Sequence, residues 1–293
     1  MTLKIQVMTP FWPRDFKPLL MGVMNLTPDS FSDGGLHQDL KGASDKLDTW
    51  SKQKRVFPDF GAQSTAPMNH PISFEEEWKR IQLFFDHFKQ STFNKFPILS
   101  FDTYRPETMK SILTHQKIKH FTGQVVWNDV SGLFDDEVDE LLTGYDNLFY
   151  AYTHNAVRSR DLTPRHREFS GQFSPDSILD CVTQKFVEVT ESVGKETQER
   201  IILDPGFGFA KSPQTSMELL KNLPDLIHRF PKTQGWLIGL SRKSVLQEVK
   251  GPKNWEQLDK LQEDELKNLM LKCPQRHFIF RVHDTLPLTK SLL

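Results

Sequence analysis

Eight short apolar runs recur along the chain, each ending in a polar or glycine-bearing cluster. They are Leu19–Asn25, Val56–Gly61, Pro97–Asp102, Val125–Asp129, Leu148–His154, Ile201–Gly206, Trp236–Ser241 and His277–His283. Runs this short and this apolar read as buried strands. Between them lie stretches of helical periodicity or helix-friendly composition, such as Phe74–Phe88, Pro106–His115, Ser177–Val193, Ser216–Phe230 and Gln257–Leu271. Strands alternating with helical crossovers predict an α/β fold, a (β/α)8 TIM barrel; an open doubly wound sheet is the other topology the count allows. The 293 residues suit one large barrel, and no repeat, low-complexity tract or linker divides them. A single domain over residues 1–293 is expected.

A barrel of this kind carries its site at the C-terminal ends of its strands. Each polar cluster falls there: Asn25, Asp59, Asp102, Asn128, His154, Asp204, Ser241 with Lys243, and Arg281 with His283. Strand alternation puts every second side chain on one face. Ser241 with Lys243, and Arg281 with His283, are each two apart and are expected to aim into one mouth.

Composition narrows the function classes. A net charge of −1 gives no reason to expect nucleic acid or a membrane surface as partner. The core is aromatic, with 23 Phe among 37% hydrophobic residues. Two cysteines, Cys181 and Cys273, build no disulfide framework and fit a reducing compartment. No segment nears the roughly 18 apolar residues of a membrane span, and no secretory signal is visible. A cytoplasmic protein is expected.

The first run continues into a polar loop, Met21-Gly22-Val23-Met24-Asn25-Leu26-Thr27-Pro28-Asp29-Ser30-Phe31-Ser32-Asp33-Gly34-Gly35. This stretch resembles the first signature of the dihydropteroate synthases, which join a pterin to p-aminobenzoate. Further segments resemble later signatures in the same order. They are Asp59-Phe60-Gly61-Ala62-Gln63-Ser64-Thr65-Ala66-Pro67, Ser100-Phe101-Asp102-Thr103-Tyr104 and Asn128-Asp129-Val130-Ser131-Gly132. After them come Asp204-Pro205-Gly206-Phe207-Gly208-Phe209-Ala210-Lys211, Gly239-Leu240-Ser241-Arg242-Lys243-Ser244 and Arg281-Val282-His283-Asp284. The likeness runs from about residue 20 to 284.

The resemblance implies roles that suit the residue types. Asp102, Asn128 and Asp204 would match the donor–acceptor edge of the pterin, with Thr65 also at the substrate. Arg281 would offer a bidentate fork to a diphosphate and His283 a further donor, while the neutral oxygen of Asn25 suits Mg²⁺. Lys243 would lie between the two substrates, Phe209 would pack on the aryl ring, and the helix start at Ser244 would attract the carboxylate of p-aminobenzoate. Lys243, Asp102 and Asp204 are the expected catalytic groups. Lys211 reads as a loop-ordering residue as readily as a binding one. The implied reaction is a Mg²⁺-dependent transfer of the pterin methylene from diphosphate to the arylamine, without a covalent protein nucleophile.

The chain departs from the family pattern in four places. Gln63 stands where the family has a carboxylate, and Ala66 where it has an arginine. Thr153 replaces a methionine before His154. The loop after that strand is basic, with Arg158, Arg160, Arg165, His166 and Arg167; it is expected either to be solvated or to replace the missing arginine. The resemblance implies a homodimer built through the last helices, yet Asp284–Leu293 is too short for a full closing helix and Pro287 is expected to interrupt it. The alternative to a synthase is a pterin-binding homologue that is non-catalytic or takes another amine. A methyl-transfer pterin barrel ranks lower, because it needs no diphosphate groups.

Overall fold

The computed structural model describes residues 11–26, 36–63, 71–157, 159–171, 173–231, 234–241, 243, 245–246 and 254–293. Eight parallel strands close into a barrel in sequence order: β1 Leu19–Asn25, β2 Val56–Gly61, β3 Ile98–Asp102, β4 Gln124–Asp129, β5 Leu148–Thr153, β6 Ile201–Asp204, β7 Gly235–Ile238 and β8 His277–Val282. Closure comes from β8 pairing with β1, where Leu19 stands beside Ile279 and Met21 beside Arg281. The principal crossover helices are α1 Leu36–Ser51, α2 Phe74–His87, α3 Pro106–Thr114, α4 Asp136–Gly144, α5 Ile178–Glu191, α6 Pro213–Lys221 and α7 Trp255–Lys272. A closing helix, α8 Leu286–Leu292, follows β8. The fold is thus the (β/α)8 barrel, not the open sheet.

Period-two alternation divides the apolar residues into two cores. Leu19, Met21, Phe57, Ile98, Val126, Phe149, Ala151, Ile202, Leu237 and Ile279 fill the barrel interior. Leu20, Met24, Val56, Phe60, Leu99, Phe101, Val125 and Trp127 face the helix layer. The barrel's N-terminal end is plugged by aromatics. Phe11 stacks on Phe149 at 4.1 Å, while Trp12 and Phe16 stack on His277 at 5.0 and 4.8 Å. The plug leaves the opposite end as the open mouth.

Three expected boundaries shift for local reasons. Segment 213–228 is two helices, α6 and a short turn Leu223–His228 with a proline in its first turn. Pro224 lacks the N–H needed to carry one helix through, but suits the start of another. Strand β7 stops at Ile238, so Ser241 and Lys243 lie in the loop beyond it and strand alternation does not place them. Pro287 does not interrupt the last helix; it occupies the first turn of the seven-residue α8. That helix buries Leu288, and hydroxyls of Thr285 and Thr289 donate to Gln53 at the end of the α1 crossover.

Among the described residues, no helix is long and apolar enough to cross a membrane.

Candidate active site

The same alternation that sends Ile98, Val126, Ile202 and Ile279 into the barrel sends Ser100 and Asp102, Asn128, Asp204 and Arg281 inward, nearer the mouth. Asp59, inward on β2, is fully buried and ties these strands together. Its carboxylate accepts from Ser100 Oγ at 2.6 Å, Asn128 Nδ2 at 3.1 Å and Arg281 Nε at 2.7 Å. A second nitrogen of Arg281, Nη2, donates to Asp102 at 2.6 Å.

Arg281 is therefore not the free fork that the sequence suggests: two carboxylates hold it. Burial alone would lower its pKa, but Asp59 and Asp102 keep it above the ordinary guanidinium value. Burial pushes the Asp102 carboxyl up to about 7, against the pull of Arg281 and with added repulsion from Asp59. Asp102 keeps 16% of its side chain exposed, so a ligand in the mouth can reach it.

On the other side of the mouth, Asp204 Oδ1 accepts from the Gly206 amide at 2.7 Å, and Thr153 Oγ1 lies 3.5 Å from Oδ2. The position where the family pattern has methionine thus presents a hydroxyl to the Asp204 carboxylate. Burial raises the Asp204 pKa, opposed by the charge of Lys243.

Lys243 stands with Nζ 5.0 Å from the centre of the Phe209 ring, a cation–π contact. Burial brings its ammonium down to about 8, and Asp204 and Asp102 resist that fall. A Cβ at Gly239 would lie in ordinary contact with this cluster, 3.6 Å from Lys243 Nζ and 3.8 Å from Arg281 Cβ. Lys243, Asp204, Asp102 and Arg281 form one electrostatic cluster although they come from four strand ends.

His283 follows the last strand and lies beside Ser241. Its Nδ1 lies 3.0 Å from Ser241 Oγ, which joins the ends of β7 and β8. Asn25 ends β1 exposed at the mouth. Thr65 and Ser244 lie outside the described residues, as do Ser64, Ala66, Pro67 and Arg158.

Lys211 ties two loops together. Its buried Nζ donates to the carbonyls of His154, Gly206 and Phe209 at 2.7, 2.9 and 3.3 Å, pinning the β5 and β6 loops to each other. Burial pulls this ammonium down to about 7.

Two networks escaped sequence reasoning. Gln63 receives Arg105 Nη1 at 2.8 Å, and Arg105 also bonds buried Glu77 at 2.8 Å and the Ile72 carbonyl at 2.5 Å. Arg105 thereby clamps residues 63 and 72, the two ends of the second loop. In the basic loop, Arg160 is not solvated. It donates to Asp129 and Asp135, both at 2.9 Å, and to the Tyr104 carbonyl at 2.6 Å. Asp129 is fully buried on the outer face of β4, so Arg160 neutralises a buried carboxylate and does not reach the mouth. The signal for both networks was an Arg near several acids, which many partners could satisfy.

The family model for pterin binding enzymes matches residues 21–274. A dihydropteroate synthase of Neisseria meningitidis serogroup B is 31% identical over 258 residues, covering 81% of this chain and 79% of the relative. The chain belongs to the dihydropteroate synthase family. Two solved family structures share the architecture. The Anaplasma phagocytophilum enzyme with bound 6-hydroxymethylpterin-monophosphate superposes with a TM-score of 0.70 at 26% identity, covering 94% of this chain and 100% of that one. The Xanthomonas albilineans enzyme with 4-aminobenzoic acid gives 0.69 at 25% identity, covering 94% and 91%.

Proposed function

We propose that the protein condenses 6-hydroxymethyl-7,8-dihydropterin diphosphate with p-aminobenzoate to give 7,8-dihydropteroate and pyrophosphate. The observation that carries this reading is the convergence of Asp102, Asn128, Asp204, Lys243 and Arg281 in the mouth of a barrel belonging to this family. Asp102 and Asp204 supply acceptors and Asn128 both a donor and an acceptor, as a pterin edge requires. The C–O bond to diphosphate breaks with its electron pair leaving on oxygen. The electron-rich ring stabilises the methylene cation, the arylamine nitrogen bonds to that carbon, and a proton leaves the nitrogen. Lys243 balances the departing negative charge.

Among the described residues, no group of three or more His, Cys, Asp or Glu could hold a metal ion. The exposed Asn25 carbonyl oxygen fits an ion that takes most of its ligands from diphosphate and water, which is the habit of Mg²⁺. Bound there, Mg²⁺ would supply charge neutralisation to the leaving group. Two free cysteines, Cys181 and Cys273, support a cytoplasmic location. The exposed Leu271 and Leu286, on the neighbouring helices α7 and α8, support a homodimer through that face.

The test is the reaction of purified protein with the pterin diphosphate, Mg²⁺ and p-aminobenzoate, following pyrophosphate and dihydropteroate separately. Both products are expected, and both are expected to vanish in Lys243→Ala. Pyrophosphate alone would mean that the amine is a different one. Pterin binding without either product would refute the synthase reading in favour of a non-catalytic role.

A further inference from the structure

Asp59 bonds to three other strands yet keeps no surface for a ligand, because its side chain is fully buried on β2. By register it stands beside Ser100, while the next inward position of β2, Gly61, stands beside Asp102, and Asp102 beside Asn128. Gly61 carries no side chain, so the Asp59 carboxylate reaches that level and accepts from Asn128 Nδ2 at 3.1 Å. Arg281 starts lower. Its backbone stands beside Met21, and Met21 beside Phe57, the inward position before Asp59. The guanidinium therefore passes Asp59 on its way to Asp102, bonding the first through Nε at 2.7 Å and the second through Nη2 at 2.6 Å.

This pattern fixes orientations that the side chains alone leave open. Paired with Arg281, the Asp59 carboxylate only accepts hydrogen bonds, so the Asn128 amide must turn its NH2 to Asp59 and its carbonyl oxygen away. The planar guanidinium likewise has one orientation left once Nε and Nη2 are both engaged. Ser100 Oγ donates to the other Asp59 oxygen at 2.6 Å and keeps the carboxylate from rotating. The two holds on Arg281 differ in access. Asp102 is partly exposed and Asp59 is not, so a ligand in the mouth competes with Arg281 for Asp102 and not for Asp59.

We propose that Asp59 is a positioning residue of the reaction: it sets the Asn128 amide and the Arg281 guanidinium in the orientation that the pterin meets, and it keeps both when the pterin is bound. The assignment rests on the synthase reading for its ligand, and binding of a pterin without turnover separates the two.

The probe is 6-hydroxymethylpterin-monophosphate, titrated calorimetrically into the full chain. Asp59→Asn keeps the shape but donates as well as accepts, so the orientation of Asn128 is no longer dictated. Affinity should weaken about tenfold, as for loss of one hydrogen bond to a charged group. An Asn128→Ala background already lacks one of the two groups through which Asp59 acts, and there the same substitution should cost only about threefold. Equal losses in the two backgrounds, or unchanged affinity in Asp59→Asn, overturns the proposal, as does absence of binding by the wild type. Weakened pterin binding with no dihydropteroate formed by any of the proteins supports the role of Asp59, and in that case the synthase reading alone fails.

In turnover, Asp59→Asn should raise KM for the pterin diphosphate about tenfold and leave KM for p-aminobenzoate within about twofold. A general loosening of the barrel would raise both alike, and that result overturns the proposal. A crystal structure of the wild-type chain with the same pterin monophosphate needs no variant to fold. Asn128 Nδ2 and Arg281 Nε are both expected to remain on Asp59, and departure of either group overturns the proposal.

Discussion

Gly206 and Gly208 both sit at positive φ, +68° and +81°, on the loop that follows β6. Their surroundings differ sharply. A Cβ on Gly206 would stand 2.1 Å from the His154 carbonyl oxygen and 3.0 Å from Thr153 Cγ2, whereas among the described residues nothing lies within 4 Å of one on Gly208. Substitution by alanine therefore separates backbone strain from steric overlap. Left-handed backbone costs an L residue about 1–2 kcal/mol, and the two variants share that cost. Gly206→Ala adds an overlap with main chain, which has no rotamer to give way; overpacking of this kind costs about 1–3 kcal/mol. At ~2–4 °C of Tm per kcal/mol for a chain of this size class, Gly206→Ala should melt about 2–12 °C below Gly208→Ala.

The site should feel the difference as well. The Gly206 amide donates to Asp204, and its carbonyl accepts from Lys211, so displacing the loop moves the Asp204 carboxylate proposed to hold the pterin. Gly206→Ala should raise KM for the pterin diphosphate; Gly208→Ala, which keeps these bonds, should leave it near wild type. Thermal melts by circular dichroism and steady-state kinetics on the two purified variants make the comparison. Equal melting temperatures, or a less stable Gly208→Ala, would show that main chain at β5 does not crowd position 206 and would refute the reasoning.

Three further outcomes are expected. With Lys243 brought down to about 8, its charge is present below that pH and lost above it, so kcat/KM for the pterin diphosphate should fall as pH rises through about 8. Lys243→Arg should carry that alkaline limb well above pH 8, and an unmoved limb would assign it to another group. Arg160→Met strips a buried carboxylate, Asp129, of its cation and should destabilise the protein by ~3–5 kcal/mol in urea melts, with KM for p-aminobenzoate unchanged in the folded protein. Lys211→Met leaves three carbonyls without a donor and should lower stability by ~2–4 kcal/mol; a loss under ~1 kcal/mol would mean that water replaces the ammonium freely.

The sequence by itself determined where the strands run and which end of each carries chemistry. The apolar runs ending at Asn25, Asp102 and Asp129 are the observed strands β1, β3 and β4 at their C-terminal limits, because a strand buried on both faces needs a continuous apolar run and stops where polar groups begin. Asp102, Asn128 and Asp204 were legible as mouth-facing positions for the same reason, whereas Lys243 and Phe209 lie in loops and came from the family resemblance. What each charged group bonds to was not. Arg281 is 222 residues from Asp59 and 179 from Asp102, and only closure of β8 onto β1 brings them together. Arg160 looked solvated because a run of arginines is usually so, yet the fold delivers a buried aspartate to it. The placement of His166 against Phe209 likewise depends on how a 3-10 segment after β5 meets the loop after β6. Local pattern sets burial and direction along a strand, because those follow from backbone period. Partner choice among like charges follows from distances across the barrel, and only the tertiary structure supplies them.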